Sequence, residues 1–359
     1  MPRKKIASSN VVLYAGPSPA TGTHTTANIK EIYGTQSFGY NFATSKEDIL
    51  VFGKRAADRR EDPAAPVVTF DLSYYLSNFD NEKSFGFITD STISGAFSNL
   101  LDGTKDERNI FAMISSDGID AIGAVPGSTP CIGFGNATIS SYNFNAAVGS
   151  YPTVSMSFEA VDAEYYVDSS AERLPAINVN TGAIATGTFT LPTASGNAFG
   201  GRDPILRPRD ISVNLSGASG VFYDLANACV QSVDIGVEFG RQQQQCLGAF
   251  YRKDSIIADV IPVTFAVEFL AKDMTAGRLS TFACETGSYS VDVTIRRPNC
   301  SGTGAVASLF RLKNLSYESQ AHDFSIGGDA STVTMNFQGT VGGGNDSLNG
   351  LFMSGIANT

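Results

Sequence analysis

The chain has no tryptophan and only two histidines, His24 and His322, among its 359 residues. The histidines occupy unrelated positions, and neither belongs to a metal-ligand spacing. No nucleophile elbow, P-loop or dinucleotide fingerprint is present. Gly133-Phe134-Gly135 and Phe199-Gly200-Gly201 lie after strands or in loops, so they read as turns. The five cysteines, Cys131, Cys229, Cys246, Cys284 and Cys300, are odd in number and show no C-x-x-C spacing. That argues against a disulfide framework or a zinc site and leaves buried or half-buried thiols. Charge is scarce too: 17% of residues are charged, with 25 Lys and Arg against 35 Asp and Glu, a net charge of −10. A protein that grips nucleic acid needs a basic face, which this balance disfavours. An acidic wall that lets phosphates slide past is compatible with it. No apolar run approaches the length of a membrane helix. The start, Met1-Pro2-Arg3-Lys4-Lys5, is basic with no following apolar stretch, so it does not read as a signal peptide; synthesis and folding in the cytoplasm are expected.

No catalytic, metal-binding or cofactor-binding residue emerges, and no cofactor is expected. Asp102-Gly103-Thr104-Lys105-Asp106-Glu107 lacks the spacing of a calcium loop and reads as a solvated turn. Paired carboxylates such as Glu159 and Asp162 are the basis of an enzyme alternative, a carbohydrate-active one. The missing tryptophans weigh against it, although 13 tyrosines could replace such a platform.

What the chain does have is 36 Gly, 24 Phe, abundant Ser and Thr, and recurrent period-2 alternation. This is a mainly β composition. The alternation occurs in two matching series. Gln36-Ser37 precedes Phe38, Tyr40 and Phe42, then Gly53, Pro66 and a second run (Val68, Phe70, Leu72, Tyr74). Gln231-Ser232 precedes Val233, Ile235 and Val237, then Gly248, Pro262 and Phe265, Val267, Phe269. Thr153–Phe158 matches Thr332–Phe337 in character at every position, each preceded by a Ser-Tyr pair, Ser141-Tyr142 and Ser316-Tyr317. Short helical stretches are expected at Ile93–Leu101 and Met274–Phe282, each followed by a strand (Asn109–Ile114 and Tyr289–Ile295). Three correspondences in one order point to duplication.

The expected organisation is a first β domain over 1–167, a long connecting arm over 168–209, a second β domain over 210–344 and a C-terminal tail over 345–359. The arm is rich in small residues and proline, and Ala183–Leu191 within it reads as a hairpin that pairs with another subunit. The tail reads as mobile or docked on a neighbour. The mixed-charge loop Lys54–Asp62, with its counterpart Arg252-Lys253-Asp254, reads as an inter-subunit contact.

The string Gln36–Phe42, then Phe52-Gly53-Lys54-Arg55-Ala56-Ala57-Asp58-Arg59, Pro66 and Phe70–Asn78, together with Asp106–Phe111, resembles the tail tube proteins of tailed bacteriophages. The likeness is best over residues 30–160. It implies two tandem β-sandwich or barrel-like domains, each with a short flanking α-helix. It also implies a structural virion protein, not an enzyme, that self-assembles into stacked rings forming the hollow tail. Three copies of a two-domain chain would make one pseudo-hexameric ring. The partners implied are other copies of the chain, a tape measure protein in the lumen, a tail terminator and a baseplate, with a sheath left open. Genomic DNA would pass through the lumen without specific binding, and no membrane is involved. A different ring-forming virion protein (baseplate, tail-completion or capsid-decorating) is the alternative.

Overall fold

The computed structural model describes residues 10–355 apart from 19–21, 26, 92–93, 102–105, 116–118, 125–126, 128, 179–180, 196–204, 217–228, 258, 271–287, 299–303 and 324–330. The fold is mainly β. The first half carries β1 (Val11–Pro17), β2 (Thr23–His24), β3 (Lys30–Glu31), β4 (Thr35–Ala43), β5 (Glu47–Ile49), β6 (Arg59–Glu61) and β7 (Val67–Tyr75). Helices α1 (Asp80–Phe85) and α2 (Ser98–Leu101) follow, then β8 (Arg108–Ile114), β9 (Cys131–Ala147), β10 (Thr153–Ala160) and β11 (Asp162–Tyr166). The connection adds β12 (Ser170–Arg173), β13 (Ile177–Asn178), β14 (Ala183–Ile184) and β15 (Thr188–Thr190). The second half carries β16 (Ile211–Ser216), β17 (Val230–Glu238), β18 (Gln242–Gln244), β19 (Asp254–Ile256) and β20 (Pro262–Leu270). It ends with β21 (Tyr289–Arg296), β22 (Val306–Asp323), β23 (Thr332–Thr340) and β24 (Gly350–Gly355).

The pairings of the two halves correspond. In the first, β4 pairs β7, β7 pairs β10 and β10 pairs β9; in the second, β17 pairs β20, β20 pairs β23 and β23 pairs β22. The N-terminal part of β9 turns into an outer sheet with β8, β1 and β11, and that of β22 does the same with β21, β16 and β24. The irregularities correspond as well. One register shift opens β4 and β17, another bends β10·β9 at Ser157/Phe158 and β23·β22 at Tyr317/Ser319. A third lies where Asn136 and Asn314 hold left-handed backbone at φ 49° and 57°. Asparagine tolerates that conformation better than most residues, so it suits a bulge that redirects a long strand between sheets.

Register decides which sequence landmarks are equivalent. From β4 through β7 the second half follows at a constant offset of 195 residues: Phe38 with Val233, Gly53 with Gly248, Leu72 with Val267. Pro66 and Pro262 therefore sit one position apart. Thr153–Phe158 and Thr332–Phe337 are equivalent as read. The Ser-Tyr pairs are not: Ser141 corresponds to Ser319, whereas Ser316-Tyr317 corresponds to Thr138-Ile139.

Three other expectations change. Leu351-Phe352-Met353 is buried in β24 and paired to β22, so Gly350–Gly355, within the segment read as a tail, is a strand. The connecting segment packs on its own first half. β14 pairs β13, and β15 pairs β12 and, in parallel, β2, so Ala183–Leu191 finds its partners inside the chain. Phe189, Leu191 and Leu174 form a small second core with Tyr14, Phe111 and Tyr166. The approach is close enough that a Cβ on Gly135 would lie 2.1 Å from the Pro175 carbonyl oxygen, which only glycine permits. Of the first helical stretch, Ser98–Leu101 is α-helix. Met274–Phe282 lies outside the described residues.

Both halves share one main core. Phe310 of β22 packs on Phe144 (centroids 4.6 Å) and edge-on against Phe79 (4.9 Å), and Phe239 after β17 meets Phe97 edge-on at 5.1 Å. Beneath the first half of the sheet lies a carboxyl. Glu82 on α1 is fully buried and accepts hydrogen bonds from Tyr74 Oη (2.8 Å) and Tyr142 Oη (3.5 Å). Burial pushes its pKa up to about 8, above an ordinary value of 4.5. The native state therefore keeps a proton that the unfolded chain releases above pH 4.5. Stability associated with this group is full below pH 4.5 and declines until about pH 8, at about 1.4 kcal/mol per pH unit. We expect the urea midpoint to fall between pH 5 and 8.5, and Glu82→Gln to flatten that decline. Parallel profiles for both proteins would contradict this assignment.

Candidate functional site

The C-terminal parts of β9 and β22 join the six strands between and beside them into one continuous ladder. Its order is β22-β23-β20-β17-β9-β10-β7-β4, four strands from each half. The join is the antiparallel β17·β9 pairing, with Val233 opposite Ala146, Ile235 opposite Phe144 and Val237 opposite Tyr142.

Strand geometry places alternate residues on opposite faces. On one face, Val68, Phe70, Leu72, Phe144, Met156, Phe158, Ile235, Phe265, Val267, Met335 and Phe337 are buried in the shared core. The other face holds Thr69, Asp71, Ser73, Asn143, Asn145, Ser155, Ser157, Glu159, Ser232, Asp234, Glu238, Thr264, Glu268, Thr334, Asn336 and Gln338. Its charged side chains are all acids, and none of the eight strand segments contains a Lys or an Arg. Neighbouring neutral groups hold three of these carboxylates. Ser157 donates to Asp71 (2.6 Å), Asn143 and Asn145 donate to Asp234 (3.1 and 3.3 Å), and Ser232 donates to Glu268 (3.1 Å). Such a face repels phosphate and offers no cation for it to settle on.

The two ends of the ladder are open. Among the described residues β4 pairs only β7, whereas its counterpart β17 lies between β20 and β9. The side chains record the difference. Ile235 and Val237 are 0% and 1% exposed, while Tyr40 and Phe42 at the same positions are 40% and 52% exposed. At the other end, Gln320 and His322 of β22 are half-buried where the equivalent Tyr142 and Phe144 are fully buried.

The charged segments form hairpins in equivalent places. β5 pairs β6, and β18 pairs β19, each turning through a positive-φ glycine, Gly53 (87°) and Gly248 (81°). The residue before each glycine, Phe52 or Leu247, is fully exposed at the tip. Lys54–Asp58 and Arg60–Asp48 ion pairs brace the first hairpin. The second is anchored on the first half of the chain. Arg252, 4% exposed, donates through Nη2 to Asn136 O (3.2 Å), Thr138 Oγ1 (3.3 Å) and Glu159 O (3.0 Å), and pairs Glu159 Oε2 at 3.5 Å. Burial lowers its pKa, and Glu159 and Glu107 counter that. Arg241 holds Asp106 through both terminal nitrogens and the Ile139 carbonyl through Nε. The mixed-charge counterpart singled out from the sequence is thus a contact between halves.

The remaining candidates do not converge. His24 is buried on β2 and His322 lies on β22. Glu159 is engaged by Arg252 and by Gln243 Nε2 (2.8 Å), while Asp162 caps the Ala163 amide (2.9 Å). Among the described residues no group of three or more His, Cys, Asp or Glu is arranged to hold a metal, and no helix is long and apolar enough to cross a membrane. Asp102–Lys105 lie outside the described residues.

Arg252 is buried, while its partner Glu159 keeps 27% of its side chain in solvent. Arg252→Ala is expected to destabilise the protein by about 2 kcal/mol in urea unfolding, because Asn136 O, Thr138 Oγ1 and Glu159 O lose their donor and the half-buried Glu159 and Glu107 lose their cation. Adding Glu159→Gln should recover part of the loss; additive losses would mean that the pair is not coupled.

No protein-family model and no curated protein matches the sequence. Solved structures with partial likeness include the SPP1 tail tube, at 13% identity and TM-score 0.32 over 45% of this chain and 80% of that one. Another is the anti-feeding prophage baseplate, at 10% identity and TM-score 0.25 over 41% of this chain and 93% of that one.

Proposed function

We propose that this chain is a structural protein of a phage tail, two β domains in one polypeptide, and that three copies close into a ring. The observation that carries the reading is the β17·β9 junction. The chain contains one complete junction between corresponding halves and exposes the two edges that would form it again, β4 and the C-terminal part of β22. An exposed edge strand with apolar residues is an aggregation hazard unless another strand covers it. A head-to-tail contact of this kind generates a ring if the rotation closes.

The size suits a conduit. Eight strands at about 4.8 Å spacing span about 38 Å. Three copies then give a bore about 37 Å across at the backbone, before strand tilt widens it. This admits a nucleic-acid duplex. The acid-only face lines the bore because the opposite face is committed to the core, and phosphates pass it without sticking. The hairpin tips, Phe52 and Leu247, recur in both halves and serve the contact between stacked rings. Other tail proteins join the tube at its ends and in its lumen, and the finished particle is where the protein resides.

The β17·β9 register transfers directly to the contact between copies. It sets Tyr40 opposite His322, Asn41 opposite Ala321 and Phe42 opposite Gln320 of the neighbouring copy. With Cys229, Cys246, Cys284 and Cys300 changed to Ser and Asn41→Cys and Ala321→Cys combined, a short thiol crosslinker should yield dimers and trimers absent from either single variant, while electron microscopy should show rings or tubes of threefold mass. A protein that stays monomeric, or crosslinks without regard to the pair, would refute the reading. In infectious particles, changing Asp71, Asp234, Glu238 and Glu268 to Lys should slow DNA exit by about tenfold or more, with ring assembly intact. Unchanged exit would refute the lumen assignment.

A further inference from the structure

A cavity of about 330 Å³ on the second half is lined by Ser288, Asn314, Leu315, Ser316, Gln338, Gly339 and Thr340. By strand register these correspond to Glu107, Asn136, Ala137, Thr138, Glu159, Ala160 and Val161. In the first half that place is occupied: it is where Arg252 of the β18–β19 hairpin lies against Asn136, Thr138 and Glu159. Among the described residues no arginine enters the corresponding place on the second half.

The position equivalent to Arg252, at the constant offset of 195, is Ala57 on the β5–β6 hairpin. Seat and occupant differ together. Within the chain an arginine enters a seat bearing two acids, Glu107 and Glu159. At the open end the seat offers Ser288 and Gln338 in their place, and the available hairpin offers a methyl group.

We propose that the β5–β6 hairpin of one copy seats Ala57 over the Ser288–Asn314–Ser316–Gln338 cavity of the next, and that this neutral pairing keeps the contact between copies distinct from the charged one inside each chain. The proposal rests on the ring reading above and adds a rule of order. Placing Arg252 on the neutral seat would bury a cation with no acid. Placing Ala57 on the charged seat would leave Glu107 and Glu159 without their cation. Both mismatches carry the penalty of an uncompensated buried charge. First and second halves therefore alternate around the ring, and two like halves do not meet.

The test is a charge cycle read by assembled mass. Ala57→Arg, on an exposed hairpin, should leave the urea midpoint of the unassembled chain unchanged and raise the concentration needed for assembly by about tenfold or more. Adding Gln338→Glu, with Ser288→Glu if needed, should restore assembly, whereas Gln338→Glu alone should weaken it. Thiol crosslinking between positions 41 and 321 follows the same contact independently. If the unaltered protein forms rings and Ala57→Arg forms them as well, or if Gln338→Glu gives no rescue, the seat proposal fails and the ring stands. If the unaltered protein neither assembles nor crosslinks at that pair, the ring reading fails and takes this proposal with it.

Discussion

The antiparallel pairing of β17 with β9 is the constraint on which the rest of the molecule depends. It converts two four-stranded ladders into one sheet with a common buried face and a common polar face. Phe144 and Tyr142 are fully buried because Ile235 and Val237 stand opposite them, and Phe310 and Phe79 then close over the junction. Hydrogen bonding supplies direction and register, while the apolar face stabilises the chosen register: a one-residue slip would turn every core side chain outward. The same logic makes the free ends of the sheet informative. β4 is equivalent to β17 in sequence position, pairing and bulge, yet half of Phe42 remains in solvent. Among the described residues β4 has one neighbour where β17 has two.

Much of this was legible in the sequence, for a physical reason. Strand periodicity, the Gln-Ser openings, and the glycines at positions 53 and 248 are local signals, and each marks a true equivalence. Other features depend on pairing that local pattern does not encode. The Ser-Tyr pairs share their spacing along the chain, whereas the bulges at Asn136 and Asn314 and the register shifts at Ser157/Phe158 and Tyr317/Ser319 set a different correspondence in three dimensions. Leu351-Phe352-Met353 is too short an apolar run to announce a strand, and its place is set by β22 and by the distant Thr89–Ala96 segment. Ala183–Leu191 alternates as a strand would. Its partners, β13, β12 and the two-residue β2, are too short to be read in advance.

The polar face illustrates a different limit. Its composition is visible in the sequence as Ser, Thr, Asn and acids between the apolar positions. That these residues share one uninterrupted surface follows only from the register across eight strands. Asp71, Asp234 and Glu268 are held by hydroxyl and amide donors, and only Glu159, beside the β18–β19 hairpin, meets an arginine. This choice matters electrostatically. A Lys or Arg among them would neutralise a carboxylate and also give a passing phosphate a place to bind. Neutral donors hold a carboxylate without cancelling its charge.

Arginine is present where it serves cohesion instead. Arg241 and Arg252 are nearly withdrawn from solvent at the rim of the junction, each against a carboxylate and backbone carbonyls. Buried ion pairs add little net stability relative to apolar packing, but a mismatched one is costly. They therefore discriminate between surfaces better than they bind them. In a molecule whose two halves share topology, strand offsets and bulges, packing alone would scarcely distinguish one half from the other as a neighbour. In the proposed ring, charge at one seat and its absence at the corresponding seat would supply the distinction that the shared fold cannot.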